Sequence, residues 1–219
     1  MQHAIFGAPR KIKMRYLFTS LLAITLFIAS AQTPVERENK IDRERVIAHR
    51  AELNREFSDS LISPLLKERV ADFEGLEYFD FDPKYIVEAK YVVNKKQKKF
   101  RMKTSTERRP EYMKYAKVKF ELKGEKYVLN VYQSQASIEV EEYKDYLFIP
   151  FTDLTNGEST YGGGRYLDIK MPEGESVTLD LNLAYNPYCA YSHRYSCPIV
   201  PLENHVPTRV EAGVKKYHE

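Results

Sequence analysis

The stretch KVKFELKGEKYVLNV, from Lys117 to Val131, leaves the chain little local choice. Val118, Phe120 and Leu122 fall on one side of an extended backbone, and Lys117, Lys119, Glu121 and Lys123 fall on the other. Tyr127, Leu129 and Val131 resume the alternation after a break. A period of two over this length puts one face of a strand pair in a core and the other in water. Gly124-Glu125, with glycine first, predicts a two-residue type II′ turn between the strands.

The same periodicity recurs along the chain. Tyr85 to Val93 and Phe100 to Thr104 alternate around Asn94-Lys95-Lys96 and read as a second hairpin, with the lysines at 95, 96, 98 and 99 as its solvated tip. Tyr146 to Phe151 is almost wholly apolar, as a strand covered on both faces would be. Val177, Leu179, Leu181 and Leu183 form another apolar row, with Thr178, Asp180 and Asn182 opposite. Before these strands the period is helical: Ile41, Val46, His49, Leu53 and Phe57 make a stripe flanked by charge, broken at Ser63-Pro64, with a short further helical turn through Val70. The 17 tyrosines and 11 phenylalanines suit strands. With at least six strands and no helical crossovers, the expected fold is mainly β (α+β): a twisted antiparallel sheet closing into a barrel or sandwich, with an N-terminal amphipathic helix.

The N-terminus predicts export. Arg10, Lys11, Lys13 and Arg15 precede an apolar run from Leu17 to Ile28, and Ala29-Ser30-Ala31 follows as a cleavage signal. The run is shorter than the ~20 residues of a bilayer-spanning helix. We therefore divide the chain into a signal peptide (1–31), a polar flexible leader (32–40) and one β-rich domain (41–219), exported to the periplasm or secreted, with no stable membrane insertion. Met14 could open such a signal by itself. Removing residues 1–31 takes away four basic residues and no acidic ones, which turns a formal charge of +3 into −1. That balance gives no electrostatic footprint for nucleic acid.

Chemistry-bearing residues concentrate in the C-terminal third. Tyr161, Gly162, Gly163, Gly164 and Arg165 have two readings: a nest of backbone N–H groups beside a guanidinium that holds an anion, or a tight sheet corner whose arginine pairs with a carboxylate. No P-loop or dinucleotide fingerprint is present. Asp168 and Asp180 each point away from their apolar neighbours and could share a face. Tyr185, Tyr188, Tyr191 and Tyr195 crowd around Asn186-Pro187, either walling a pocket or packing an irregular segment onto the sheet. Asn182 and Asn204 join the candidate ligand contacts. Cys189 and Cys197, the only cysteines, are read first as a disulfide because the compartment is oxidising. Such a short loop would contribute ~2.5 kcal/mol in the chain-entropy picture. Buried thiols, or two ligands of a metal site completed by His193 or His205, are the alternatives; the spacing matches no zinc pattern, so no metal site is assigned. Glu203 and His205, held between Pro201 and Pro207, are candidate acid–base residues with Asp180.

The segments FTDLTNGESTYGGGRYLDI and LDLNLAYNPYCAYSHRYSCPIVPLENHVP, with GLEYFDFDPKY (Gly75 to Tyr85) and the later EAG, resemble the bacterial family catalogued as domain of unknown function 1684 (DUF1684), over roughly Ile41 to Gly213. The resemblance implies shared fold and no particular activity or cofactor. From the residues themselves, the leading expectation is a domain that binds a small or anionic ligand where the glycine corner meets the tyrosine-rich segment. A hydrolytic enzyme using Glu203 or His205 with Asp180 and Arg165, and a structural envelope protein, are the alternatives.

Overall fold

A computed structural model describes residues 33–217; the expected signal peptide lies outside the described residues. Helix α1 (Pro34–Ser58) opens with a capping box: the Thr33 hydroxyl accepts from the Glu36 N–H at 3.1 Å, and the Glu36 carboxylate accepts from the Thr33 N–H at 2.8 Å. With Pro34 at the first helical position, this starts the helix inside the stretch that composition reads as a flexible leader. Val46 and Phe57 are buried, but Ile41 and Ile47 are more than half exposed. Much of the docking of α1 is instead polar. Arg45 meets Asp180 at 2.8 Å, Arg50 lies 4.6 Å over the Tyr78 ring, and Asn54 accepts the Leu76 N–H at 2.9 Å. One short turn, α2 (Lys67–Val70), follows.

Eight strands build one curled, mainly antiparallel sheet: β1 (Ile86–Val93), β2 (Lys99–Arg101), β3 (Glu111–Leu122), β4 (Glu125–Ser134), β5 (Tyr146–Asp153), β6 (Arg165–Lys170), β7 (Ser176–Asp180) and β8 (His205–Val206). A short helix α3 (Gln135–Ile138) follows β4. The main path runs β6-β5-β4-β3-β1-β7, with β2 on β3 and β8 parallel to β5. It is a half-barrel, and its two end strands, β6 and β7, are not paired with each other.

The β3–β4 hairpin forms in the expected frame, with Leu122 opposite Glu125. Its turn sits one residue earlier than glycine-first patterning suggests. Lys123 (φ 54°) and Gly124 (φ 81°) both adopt left-handed backbone, which fits a type I′ turn rather than type II′. Lys123 occupies this uncommon conformation while its ammonium donates to the Arg209 carbonyl at 2.8 Å.

The second expected hairpin does not form. β1 and β2 lie on the same edge of β3 and run in one direction, pairing at Val93↔Ala116 and Lys99↔Met113. A 12-residue strand is thus covered by one partner delivered in two pieces. The lysine-rich stretch is the bend between them, tied down by Asn94 to the carbonyls of Tyr115 and Lys114. The apolar row at 177–183 also changes partway: after Asp180 the chain enters a single 3-10 turn, Leu181–Leu183.

The sheet has two differently packed faces. On one, Val118, Phe120, Leu129, Val131, Ile149, Leu167 and Leu179 belong to a largely aliphatic core. On the other, Tyr132, Phe148, Tyr166 and Met102 meet the tyrosine-rich segment through Cys197 and Val200. β5 serves both, with Leu147, Ile149 and Phe151 on the first face and Tyr146 and Phe148 on the second. This accounts for the unbroken apolar run from Tyr146 to Phe151.

The triple glycine makes the corner into β6. Gly164 has φ 91°, and a Cβ there would lie 2.7 Å from both the Phe151 carbonyl oxygen and a Val200 methyl. Only glycine satisfies the angle and the approach together. The corner thus packs against the tyrosine-rich segment at Val200 and delivers Arg165 into the interior.

Candidate functional site

Arg165 is fully buried and committed. It donates to Asp153 Oδ2 at 2.8 Å, to the Val210 carbonyl at 2.7 Å and to the Ala212 carbonyl. Asp153 in turn accepts from Thr155 and from the Val210 N–H. Of the two readings, the corner whose arginine pairs with a carboxylate is the one formed, in place of an anion nest: an internal ion pair ties the C-terminal segment to β5 and β6. Gly162 and Gly163 are exposed parts of the corner, and the Tyr161 ring packs over Gly163.

The cavity lies on the other face of β6. Alternation along the strand sends Arg165, Leu167 and Ile169 one way and Tyr166 and Asp168 the other. Tyr185 extends this edge by exchanging both backbone hydrogen bonds with Tyr166. Their rings stand perpendicular with centroids 5.8 Å apart. Asn186 donates to the Lys215 carbonyl at 2.9 Å, fixing the chain before Pro187 turns it outward. Helix α1 closes the opposite side with His49, Leu53 and Phe57, and Phe57 meets Tyr191 edge-on at 4.7 Å. Tyr188 completes the wall, its hydroxyl on Glu56 at 2.6 Å. The enclosed volume is about 380 Å³, within the roughly 300–1,000 Å³ of small-molecule sites.

Asp168 is the acidic side chain of this cavity. Its Oδ2 accepts from the Tyr185 hydroxyl at 2.6 Å, with the Tyr146 hydroxyl nearby. Its Oδ1 is sheltered from solvent and accepts no hydrogen bond from the described residues. Burial raises the Asp168 pKa, and the two tyrosine hydroxyls only partly oppose that shift. The same burial, with the neighbouring carboxylate, holds the Tyr185 phenol well above its ordinary range.

A carboxyl whose pKa rises on folding holds its proton more tightly in the folded state. Its contribution to stability is best below the unfolded value, about 3.9, and declines as the pH rises through the folded value. Asp168→Asn should therefore raise the unfolding free energy by about 1 kcal/mol at pH 8, a Tm gain of roughly 2–4 °C, and by nothing below about pH 4. Thermal melts of both proteins across pH check this. His49, Cys197 and the surrounding Tyr112, Tyr146, Tyr185 and Tyr188 are common to both, so the difference isolates the carboxyl.

The remaining sequence candidates are dispersed. Asp180 is buried against Arg45 and caps the following turn through the Asn182 N–H at 3.0 Å. Asn182 is buried and bonded to the backbone of Asp82 and to Asp180. Asp168 and Asp180 do border one cleft, between β6 and β7. Glu203 is half exposed and paired with Lys114 at 2.7 Å, which lowers its pKa. His205 is exposed, with Nδ1 3.0 Å from the Thr152 hydroxyl. Glu203, His205 and Asp180 share neither a hydrogen bond nor a cavity, so the acid–base set expected from sequence is not assembled. Asn204 is fully buried and bonds only protein groups.

Cys189 and Cys197 are both free, in place of the expected disulfide. The Cys189 N–H donates to Cys197 Sγ at 3.2 Å, and the Cys197 N–H is held by the Ser105 hydroxyl at 3.1 Å. The Cys189 thiol is drawn down to about 6, chiefly by its hydrogen bond with Cys197, and the Cys197 thiol is pushed up in consequence. Among the described residues no group of three or more His, Cys, Asp or Glu side chains is placed to hold a metal, and no helix is long and apolar enough to cross a membrane.

Of the residues that line this cavity, the sequence pointed to Tyr185, Asn186, Tyr188 and Tyr191 and gave no sign of the α1 contribution or of the weight of Asp168. An aspartate between the apolar residues Leu167 and Ile169 was the available signal.

A family model described as protein of unknown function (DUF1684) matches residues 71–215. The chain is also similar to the solution NMR structure of an uncharacterized protein from gene locus rrnAC0354 of Haloarcula marismortui. The two are 38% identical, the match covers 82% of this chain and 96% of that one, and the TM-score is 0.63. No curated protein matches the chain.

Proposed function

The chain belongs to the DUF1684 family, and from that premise we propose that it is an exported domain that binds a small molecule in the tyrosine-walled cavity between α1 and the aromatic face of the sheet. The observation that carries this reading is a cavity of about 380 Å³ whose one carboxylate keeps an oxygen without a partner. A packing segment that served the fold alone would be expected to satisfy that oxygen or exclude it, because an unpaired buried polar atom costs about 1–3 kcal/mol. The basic, apolar and Ala-Ser-Ala segments before residue 32 support export.

A thermal-shift screen of cationic, neutral and anionic aryl compounds tests the site. Binding to the folded state alone raises Tm with ligand concentration. One or more compounds should stabilise the wild type. Leu53→Trp, which places a large ring in the cavity from a half-buried position on α1, should abolish the effect. Equal stabilisation of both proteins, or of neither, would remove the reading.

A further inference from the structure

We propose that the ligand of this cavity is a small organic cation bearing at least one N–H, held among the tyrosines with its nitrogen on Oδ1 of Asp168. The inference rests on the binding-site reading above and adds the chemical class. Charge is its first support. Among the described residues Asp168 is the acidic residue of the lining, no lysine or arginine lines the cavity, and His49 is exposed on the α1 side. An anion entering would meet that carboxylate with no basic side chain to offset it, whereas a monocation would neutralise it where water is scarce.

Hydrogen bonding is the second support. The Tyr185 hydroxyl already occupies Oδ2 at 2.6 Å, while Oδ1 lacks a donor. A ligand N–H would supply one. A neutral donor could do the same, but it would leave the charge uncompensated.

The third support is the wall itself. Tyr146, Tyr166, Tyr185 and Tyr188 line the space around the carboxyl. Tyr166 and Tyr185 form a right-angled corner there. Aromatic rings attract a cation within about 6 Å of their centroids, and aromatic enclosures of this composition suit ammonium groups.

Calorimetric titration at pH 8 with four probes of similar shape tests the class: benzylamine, benzyl alcohol, benzyltrimethylammonium and benzoate. Benzylamine should bind at least ten-fold more tightly than benzyl alcohol. Benzyltrimethylammonium, which is charged but has no N–H, should fall between them, and benzoate should be weakest. Asp168→Asn, expected to fold at least as stably as the wild type, should bring benzylamine and benzyl alcohol within two-fold of each other. Tyr188→Ala, at an exposed wall position, should weaken both probes and benzylamine the more, by several-fold.

Benzyl alcohol or benzoate binding as tightly as benzylamine, with Asp168→Asn changing neither, would overturn the cation class while leaving the cavity as a site. Failure of all four probes would also overturn it. The cavity would then stand or fall by the Leu53→Trp screen.

Discussion

Asp153→Ala is expected to lower the unfolding free energy by about 3–5 kcal/mol, because it strands a buried guanidinium without its counter-charge. Both Asp153 and Arg165 have fully buried side chains, so water cannot take the place of the missing partner. The loss spreads beyond the pair. Asp153 also holds the Thr155 and Val210 N–H groups, and Arg165 holds the Val210 and Ala212 carbonyls. The C-terminal segment near Val210 should therefore loosen first. Urea unfolding gives the energy, and the corresponding fall in Tm is roughly 6–20 °C. Asp153→Leu combined with Arg165→Met should recover part of the loss, since it removes both buried charges and leaves only neutral backbone groups, the Thr155 and Val210 N–H groups and the Val210 and Ala212 carbonyls, without these partners. A change below 1 kcal/mol for Asp153→Ala would mean that the pair is far better solvated than its burial indicates.

Asn204→Ala should be nearly as costly, at about 3 kcal/mol or more. β4 and β5 share a single register pair, Tyr132↔Phe148, and Asn204 fills the gap in the ladder beyond it. Its Oδ1 accepts from the Asn130 N–H at 2.9 Å and from the Asn130 side chain at 3.0 Å. Its Nδ2 donates to the carbonyls of Asn130 at 2.9 Å and Pro150 at 2.7 Å. One amide thus stands in for a rung of the sheet, and removing it orphans several buried groups at about 1–3 kcal/mol each. Amide hydrogen exchange at Asn130 should accelerate in the variant. Asn204→Asp should fail similarly, because it keeps the acceptor and loses both donations. An unchanged exchange rate at Asn130 would refute this role.

The elements legible in the sequence were those whose order is local. The β3–β4 hairpin, the doubly covered β5 and the existence of a helix at α1 each follow from side-chain period, although Ile41 and His49 of the expected apolar stripe are exposed. The capping box at Thr33 to Glu36 was also there to be read, but the polar composition of residues 32–40 masked it. What misled was any feature set by a distant partner. The alternation in β1 and β2 showed that both are strands, yet not that they share one edge of β3. Gly164 and Arg165 suited a corner and also admitted an anion, and the choice was made by Asp153 and Val200. Asn204 looked like a ligand contact because nothing local reveals that two strands separate beside it. The tyrosines of the cavity were visible as a cluster. The orphan oxygen of Asp168 becomes visible only when every neighbouring donor has been placed.

Chemical-shift mapping on isotopically labelled protein, with the compound that raises Tm most, tests the placement of the site most directly. Amide shifts are expected at Tyr166 to Asp168, at Tyr185 to Tyr188 and along α1 from His49 to Phe57. They should vanish in Leu53→Trp. Shifts centred instead on the charged outer surface of β3 and β4, around Lys119 to Tyr127, would contradict the assignment of this cavity as the place where the protein meets its ligand.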